Sequence, residues 1–259
     1  SGPVYELGRD FRNEGADATH NPEFTVLEAY CPYADYVQMR ELTERLIKDA
    51  ARAVFGSVSL PLGHKASSEC TVSDVSGPWR VVSVCDALSE ALGRRVDVQT
   101  DFEELLALAQ QHGVRVHEGM GPGAIVEELY GELVEAHTVE PTFYTDFPAE
   151  TSPLAAPHRS VPGLAERWDL VINGMEMGCA YSELADPLVQ RERLTEQSLK
   201  AASGDLEAME VDEDFLYALE TGMPPTGGLG LGVDRLVMLL AQTQIRGVLS
   251  FPFVKPERS

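Results

Sequence analysis

A hairpin signal constrains this chain more than any other feature. In WDLVINGMEMGCAYSEL, residues 168–184, Asn173-Gly174 separates two extended runs, and Asn-Gly is a preferred centre of the two-residue antiparallel turn because both residues tolerate positive φ. Other runs extend the same logic. VYELGRDF, Val4–Phe11, and EFTVLEAYCPY, residues 23–33, read as strands, with FRNEGADATHNP as the loop between antiparallel partners. PTFYTDFPAETSPLA, residues 141–155, reads as strand and turn, and GGLGLGVDRLVMLLAQ as a strand and glycine turn running into an apolar helix.

Helices fall around these strands. YVQMRELTERLIKDAARAVF, Tyr36–Phe55, repeats apolar residues at helical spacing and predicts an amphipathic helix. Polar and small residues dominate 56–77, and PWRVVSVCDALSEALG then returns to a short strand followed by a helix. FEELLALAQQHG, ending near Gly113, and AIVEELYGELVEAH are further helices, so residues from about 98 to 137 read as a helical insertion. PLVQRERLTEQSLKAAS and DEDFLYALETG, the latter ending before Gly222, are two more. The sum is an α+β domain, a mainly antiparallel sheet flanked by helices.

Charge and cysteine content narrow the function classes. Twenty Lys and Arg against forty-two Asp and Glu give a net charge of −22, so the surface as a whole repels phosphate backbones and anionic membranes. Any nucleic-acid contact needs a local basic patch or another domain. The four cysteines, Cys31, Cys70, Cys85 and Cys179, form no CxxC pair, which fits a reduced, cytoplasmic compartment better than a disulfide framework. No apolar run approaches the roughly 20 residues of a membrane helix, so no membrane contact is expected of this segment. The chain opens SGPVYELGRD without a methionine, as a processed or excised fragment would.

Three constellations could carry chemistry. In residues 11–24, FRNEGADATHNPEF, Arg12 can clamp a phosphate bidentately, His20 can donate to a phosphate oxygen and Phe24 can stack on a base; a structural His and a core Phe are the plain alternatives. Asp169, Glu176 and Glu183 recur seven residues apart, and the Asn-Gly turn can bring the first two together as hard ligands for Mg²⁺, or leave them as solvated edge carboxylates. The glycines of residues 227–239, GGLGLGVDRLVML, allow close approach of a ligand, or form a tight turn with Arg235 in a salt bridge. A dinucleotide-binding fingerprint would need a parallel βαβ context, which is lacking. Together the three groups describe a nucleoside triphosphate site.

The same residues carry a family resemblance. Phe11-Arg12-Asn13-Glu14 through His20-Asn21-Pro22-Glu23-Phe24-Thr25, with Glu28-Ala29-Tyr30, resembles motif 2 of class II lysyl-tRNA synthetases, and Gly228-Leu229-Gly230-Leu231-Gly232-Val233-Asp234-Arg235 resembles motif 3. PAETSPLA and MEMGCAYSEL follow the lysine-type pattern in order between them, so the similarity covers nearly all 259 residues. It implies a class II synthetase-type fold that uses ATP and Mg²⁺ to convert lysine to lysyl-adenylate, then passes lysine to the acceptor end of tRNA(Lys). It further implies that Arg12 holds the α-phosphate, Glu14 the adenosine side, His20 the γ-phosphate and Phe24 one face of adenine. Asn21 and Glu176 join the ATP-binding set, and Arg235 reaches the γ-phosphate from the other side. Arg12 and Arg235 are then the catalytic residues, Asp169 and Glu176 the Mg²⁺ ligands, and Glu28, Tyr30, Tyr181 and Glu183 the lysine pocket.

Departures and outer parts matter as well. Relatives often have Asn-Gly-Phe where this chain has Cys179-Ala180-Tyr181, and Ala156-Pro157 replaces a basic residue usual after SPLA, with Arg159 nearby. On this resemblance residues 1–259 are a partial catalytic domain running from motif 2 to motif 3. Motif 1, which helps build the family's homodimer, and the N-terminal OB anticodon-binding domain would lie outside it, leaving the fragment alone inactive or weak. The first functional reading is a lysine–tRNA ligase. The alternative is the synthetase portion of a bifunctional lysylphosphatidylglycerol biosynthesis protein, tethered to a membrane by another domain, or a paralogue that lysylates a protein or only binds ligand.

Overall fold

The computed structural model describes residues 2–12, 18–63, 70–117, 119–202 and 211–253, the side chains of 200–202 apart. In chain order the strands and helices are β1 (Val4–Phe11), β2 (Glu23–Pro32), α1 (Tyr36–Phe55), β3 (Ser59–Leu62), β4 (Thr71–Asp74), β5 (Arg80–Ser83) and α2 (Val84–Leu92). There follow α3 (Phe102–His112), α4 (Pro122–Leu133), β6 (Thr142–Thr145), β7 (Arg167–Ile172), β8 (Met175–Ser182), α5 (Pro187–Ala202), α6 (Glu213–Thr221), β9 (Thr226–Gly232), α7 (Val233–Ala241) and the single turn α8 (Ile245–Val248). Seven strands form one sheet in the order β1-β2-β9-β8-β7-β6-β5. All its pairs are antiparallel except β5 with β6. This is the expected α+β class. Among the described residues no helix is long and apolar enough to cross a membrane.

Strand periodicity divides the two faces of the sheet. Leu170 and Ile172 of β7, Met177 and Ala180 of β8, and Leu229 and Leu231 of β9 point into a core shared with Met39, Ile47 and Ala51 of α1 and Leu236 and Leu239 of α7. Their neighbours along each strand face the other way, toward the site. Over the far end of that second face, α2, α3 and α4 pack on Tyr144 of β6 and Val171 of β7 in a second core. The predicted helical insertion therefore shares a core with α2, which precedes it, and walls one end of the site face.

Helix boundaries follow local chemistry. Asp35 and Gln38 form a reciprocal capping box at the start of α1, and Gly56 at φ 73° ends it. Ser83 and Asp101 cap α2 and α3, which end at Gly93 and Gly113 in the left-handed region. The expected hairpin turn forms at Asn173 (φ 55°) and Gly174 (φ 67°).

Four sequence expectations need correction. Residues 56–77 contain a separate two-stranded antiparallel sheet, β3 with β4. Pro61 and the exposed, polar β4 disguise it, although Leu60 and Leu62 are buried. The helix read from AIVEELYGELVEAH starts earlier, with Pro122 in its first turn, and stops at Leu133; Glu135–His137 is a 3₁₀ turn. The strand read to 33 ends at Pro32, since Tyr33 has φ 64°. GGLGLG is continuous strand rather than a glycine turn, and the helix begins directly after Gly232.

A β-bulge completes the site face. Leu170 pairs with Gly178 but Val171 pairs with Glu176, which leaves Met177 as an extra residue in β8. Glu176 and Cys179, three apart, would otherwise face opposite sides of the sheet; the bulge puts both on the site face. Gly178 permits it, because a β-carbon there would collide with the carbonyl oxygen of Gly230 and lie 3.0 Å from Leu231 Cα. Gly178→Ala is expected to lower stability by about 1–3 kcal/mol, read by denaturant titration. Unchanged stability would show that β8 and β9 separate at no cost.

Candidate active site

The site face holds a cleft of about 540 Å³ built by β2, β8, β9 and the start of α7. Glycine makes the room. Gly228, Gly230 and Gly232 alternate with the core leucines of β9, so the strand offers bare backbone to the cleft; a β-carbon on Gly230 would meet nothing within 4 Å. One on Gly228 would strike the Glu183 carboxylate and lie 3.0 Å from Tyr30 Cε1.

Cations gather at one end. Arg12 leaves β1 with its amide donating to Pro22 O at 3.0 Å, and its guanidinium lies 5.3 Å from the centre of the Phe24 ring. The side chain is 60% exposed, so it can turn to a ligand, and its Nε meets Asp10 Oδ2 at 3.3 Å. Arg235, at the start of α7, donates through Nη1 to Glu176 O at 2.6 Å, and its Nη2 stands 3.1 Å from His20 Nε2. Asp234 beside it is buried and accepts from Thr25 N at 2.7 Å, which fixes the start of α7 to β2. Asn21 also lines the cleft, but its amide is engaged at both ends, donating to Glu23 O at 2.6 Å and accepting from Phe253 N at 3.1 Å. Glu14, placed beside adenosine by resemblance, lies outside the described residues.

Carboxylates hold the middle. Asp169 comes from β7 and Glu176 from β8, across the Asn-Gly turn, and carboxylate oxygens of both lie with Cys179 Sγ within 4.8 Å of one another. Burial, and then the charge of Asp169, pushes the Glu176 carboxyl up, so a cation between the two would relieve like-charge repulsion. The two hard oxygen donors fit Mg²⁺. Burial, then the Glu176 and Asp169 charges, pushes the neighbouring Cys179 thiol up to about 12, and soft sulfur suits Mg²⁺ less well than the two carboxylates do.

The other end is acidic and aromatic. Tyr30 donates to Glu28 Oε2 at 3.2 Å, and burial followed by the Glu28 and Glu183 charges pushes its phenol up to about 12. The Tyr181 phenol is pushed well up by neighbouring Cys179 and by burial. Glu183 is pushed up to about 7, by burial first and Glu28 second. Two carboxylates with restrained phenols form a receptor for a compact cation.

Thus one cleft gathers Arg12, His20, Asn21, Phe24, Glu28, Tyr30, Glu176, Tyr181, Glu183 and Arg235, with Asp169 against Glu176. Arg159, the basic residue beyond SPLA, is held elsewhere: its Nη2 donates to Asp35 Oδ2 and Glu166 Oε2, each at 2.8 Å. Sequence reasoning passed over Arg167, whose guanidinium grips Asp169 from two residues away. The period of two on β7 is the signal that would have found it.

An antiparallel sheet that sets a motif 2 loop beside a glycine strand and its arginine defines a class II synthetase catalytic domain. Residues 1–255 match the model of tRNA synthetases class II (D, K and N), and the chain belongs to that family. It is 54% identical over 253 residues to the lysylphosphatidylglycerol biosynthesis bifunctional protein LysX of Nocardia farcinica, a match covering 98% of this chain and 22% of that protein. The corresponding proteins of Mycobacterium tuberculosis (strain F11) and Mycobacterium avium (strain 104) are 54% identical over 259 residues and 55% over 253, with 98% of this chain and 22% and 21% of those proteins covered. The chain spans about a fifth of the length of these curated relatives.

Proposed function

We propose that this domain activates lysine with ATP and charges tRNA(Lys), as the synthetase portion of a bifunctional protein that forms lysylphosphatidylglycerol. The relatives named above, LysX proteins of that description, favour this reading over a separate lysine–tRNA ligase. The observation that carries the chemistry is one cleft with arginines at one end and the paired carboxylates of Glu28 and Glu183 at the other.

In this reading the lysine ammonium enters between Glu183 and Glu28 and its carboxylate points toward Arg12. A carboxylate oxygen attacks the α-phosphorus, the new P–O bond forms as the α–β bridging bond breaks, and pyrophosphate leaves. Arg12 stabilises charge on the α-phosphate oxygens, so positioning and electrostatics suffice without a protein nucleophile. Arg235 and His20 hold the departing phosphates, Phe24 stacks on adenine, and Glu14 approaches the adenosine. Asn21, hydrogen-bonded through its side-chain amide to Glu23 O and Phe253 N, holds the start of β2 beside the nucleotide. Asp169 and Glu176 would hold Mg²⁺, which supplies charge neutralisation when bound. A second attack, by the terminal ribose of tRNA, then releases AMP.

Motif 1, a homodimer and an OB domain belong to the full-length protein in this reading, with the domain working on the cytoplasmic side of the membrane. Lysine-dependent ATP–pyrophosphate exchange by the full-length protein is expected, with far less exchange on a neutral amino acid of similar length. A folded protein that binds ATP yet gives no lysine-dependent exchange would overturn the assignment.

A further inference from the structure

Arg167 lies behind the carboxylate pair with a full set of contacts. Its Nε donates to Asp169 Oδ1 at 3.0 Å and its Nη2 to Asp169 Oδ2 at 2.8 Å, a planar two-point grip. Its Nη1 donates to Glu127 Oε1 at 3.1 Å and Ser152 Oγ at 3.3 Å, and the guanidinium stacks 4.0 Å from the centre of the Phe147 ring. Glu127 stands on α4, in the helical insertion, and also accepts from Thr151 Oγ1 at 2.7 Å. Three separate pieces of chain, α4, the turn after β6 and β7, thus converge on one side chain.

We infer that Arg167, held from behind by Glu127, is a positioning residue that fixes Asp169 as a cation ligand and makes the helical insertion part of the nucleotide site. The inference rests on the ATP-dependent reading above. Two features distinguish it from a plain structural ion pair. A two-point grip fixes the plane of the Asp169 carboxylate while each oxygen keeps a lone pair for another partner. Glu127 offsets the charge of Arg167, which would otherwise cancel that of Asp169. With Glu127 ionised the group retains net negative charge beside Glu176; burial pushes the Glu127 carboxyl up while Arg167 and the Thr151 hydrogen bond draw it back, and outer partners of this kind orient and tune ligands.

The test uses the full-length protein with Glu127→Gln, which keeps shape and removes charge, and Arg167→Lys, which keeps charge and removes the fork. Mn²⁺ is titrated by electron paramagnetic resonance in the presence of a β,γ-methylene ATP analogue. Both variants are expected to weaken Mn²⁺ binding on the order of tenfold. Half-saturating Mg²⁺ in pyrophosphate exchange should rise in step while the KM for lysine stays unchanged. Wild-type Mn²⁺ affinity in folded variants would overturn the inference, as would equal losses of Mn²⁺, lysine and thermal stability, the mark of a brace. If the wild type binds Mn²⁺ and nucleotide but gives no lysine-dependent exchange, the functional reading fails, and a Mn²⁺ shift in the variants still upholds the positioning role.

Discussion

Arg12→Ala is expected to reduce lysine-dependent pyrophosphate exchange by about 10³-fold, the upper range for removing one preorganised donor from a developing oxyanion. The loss should fall on kcat more than on ATP affinity, because in the proposed reaction the arginine serves charge that grows as the α-phosphorus is attacked. Stability should hardly move. The side chain is 60% exposed and its 3.3 Å contact with Asp10 lies at the surface, where such pairs contribute about 0–1 kcal/mol. Arg12→Lys should recover part of the rate, since the charge remains and the two-point fork is lost. Exchange at the wild-type rate in Arg12→Ala would remove Arg12 from the reaction.

Much of this arrangement is legible in the sequence because its signals are local. The apolar spacing of Tyr36–Phe55 gives α1 at its observed ends, and Asn173-Gly174 gives the β7–β8 turn. Sheet pairing is harder. Nothing local in Arg80–Ser83 says that it runs parallel to β6, because that pairing is set by α2 to α4 packing across the sheet. The β3–β4 pair is hidden because Pro61 and the exposed TVSD break the alternation that marks a half-buried strand.

The site divides the same way. Residues of the loop and of the glycine strand are clustered in sequence, so Arg12, His20, Phe24 and Arg235 are found by reading along the chain. The carboxylates depend on a register slip. A seven-residue interval between Glu176 and Glu183 would place them on opposite faces of a regular strand, and only the extra residue at Met177 turns both to the cleft. Glu127, forty residues from Arg167, leaves no pattern at all; its role follows from tertiary packing alone.

Glu183→Gln is expected to lower kcat/KM for lysine by roughly 10²–10³-fold, about 3–4 kcal/mol, the consequence of leaving a largely desolvated ammonium without one of its partners. Discrimination against an uncharged amino acid of equal length should collapse with it. The wild-type pH profile carries the same assignment. With the Glu183 carboxyl pushed up to about 7 by burial and by Glu28, the free enzyme loses its carboxylate as pH falls. The kcat/KM for lysine should then drop about tenfold per pH unit below that point, and this limb should be absent in Glu183→Gln. Stability has the opposite sign. A carboxyl raised from 4.5 to about 7 in the fold stabilises the native state while protonated, and that contribution is lost as pH rises across this window. Glu183→Gln cannot ionise, so above pH 7 it should be more stable than the wild type though far less active. A wild-type KM for lysine in the variant, or the same acid limb in both proteins, would show that another group receives the ammonium.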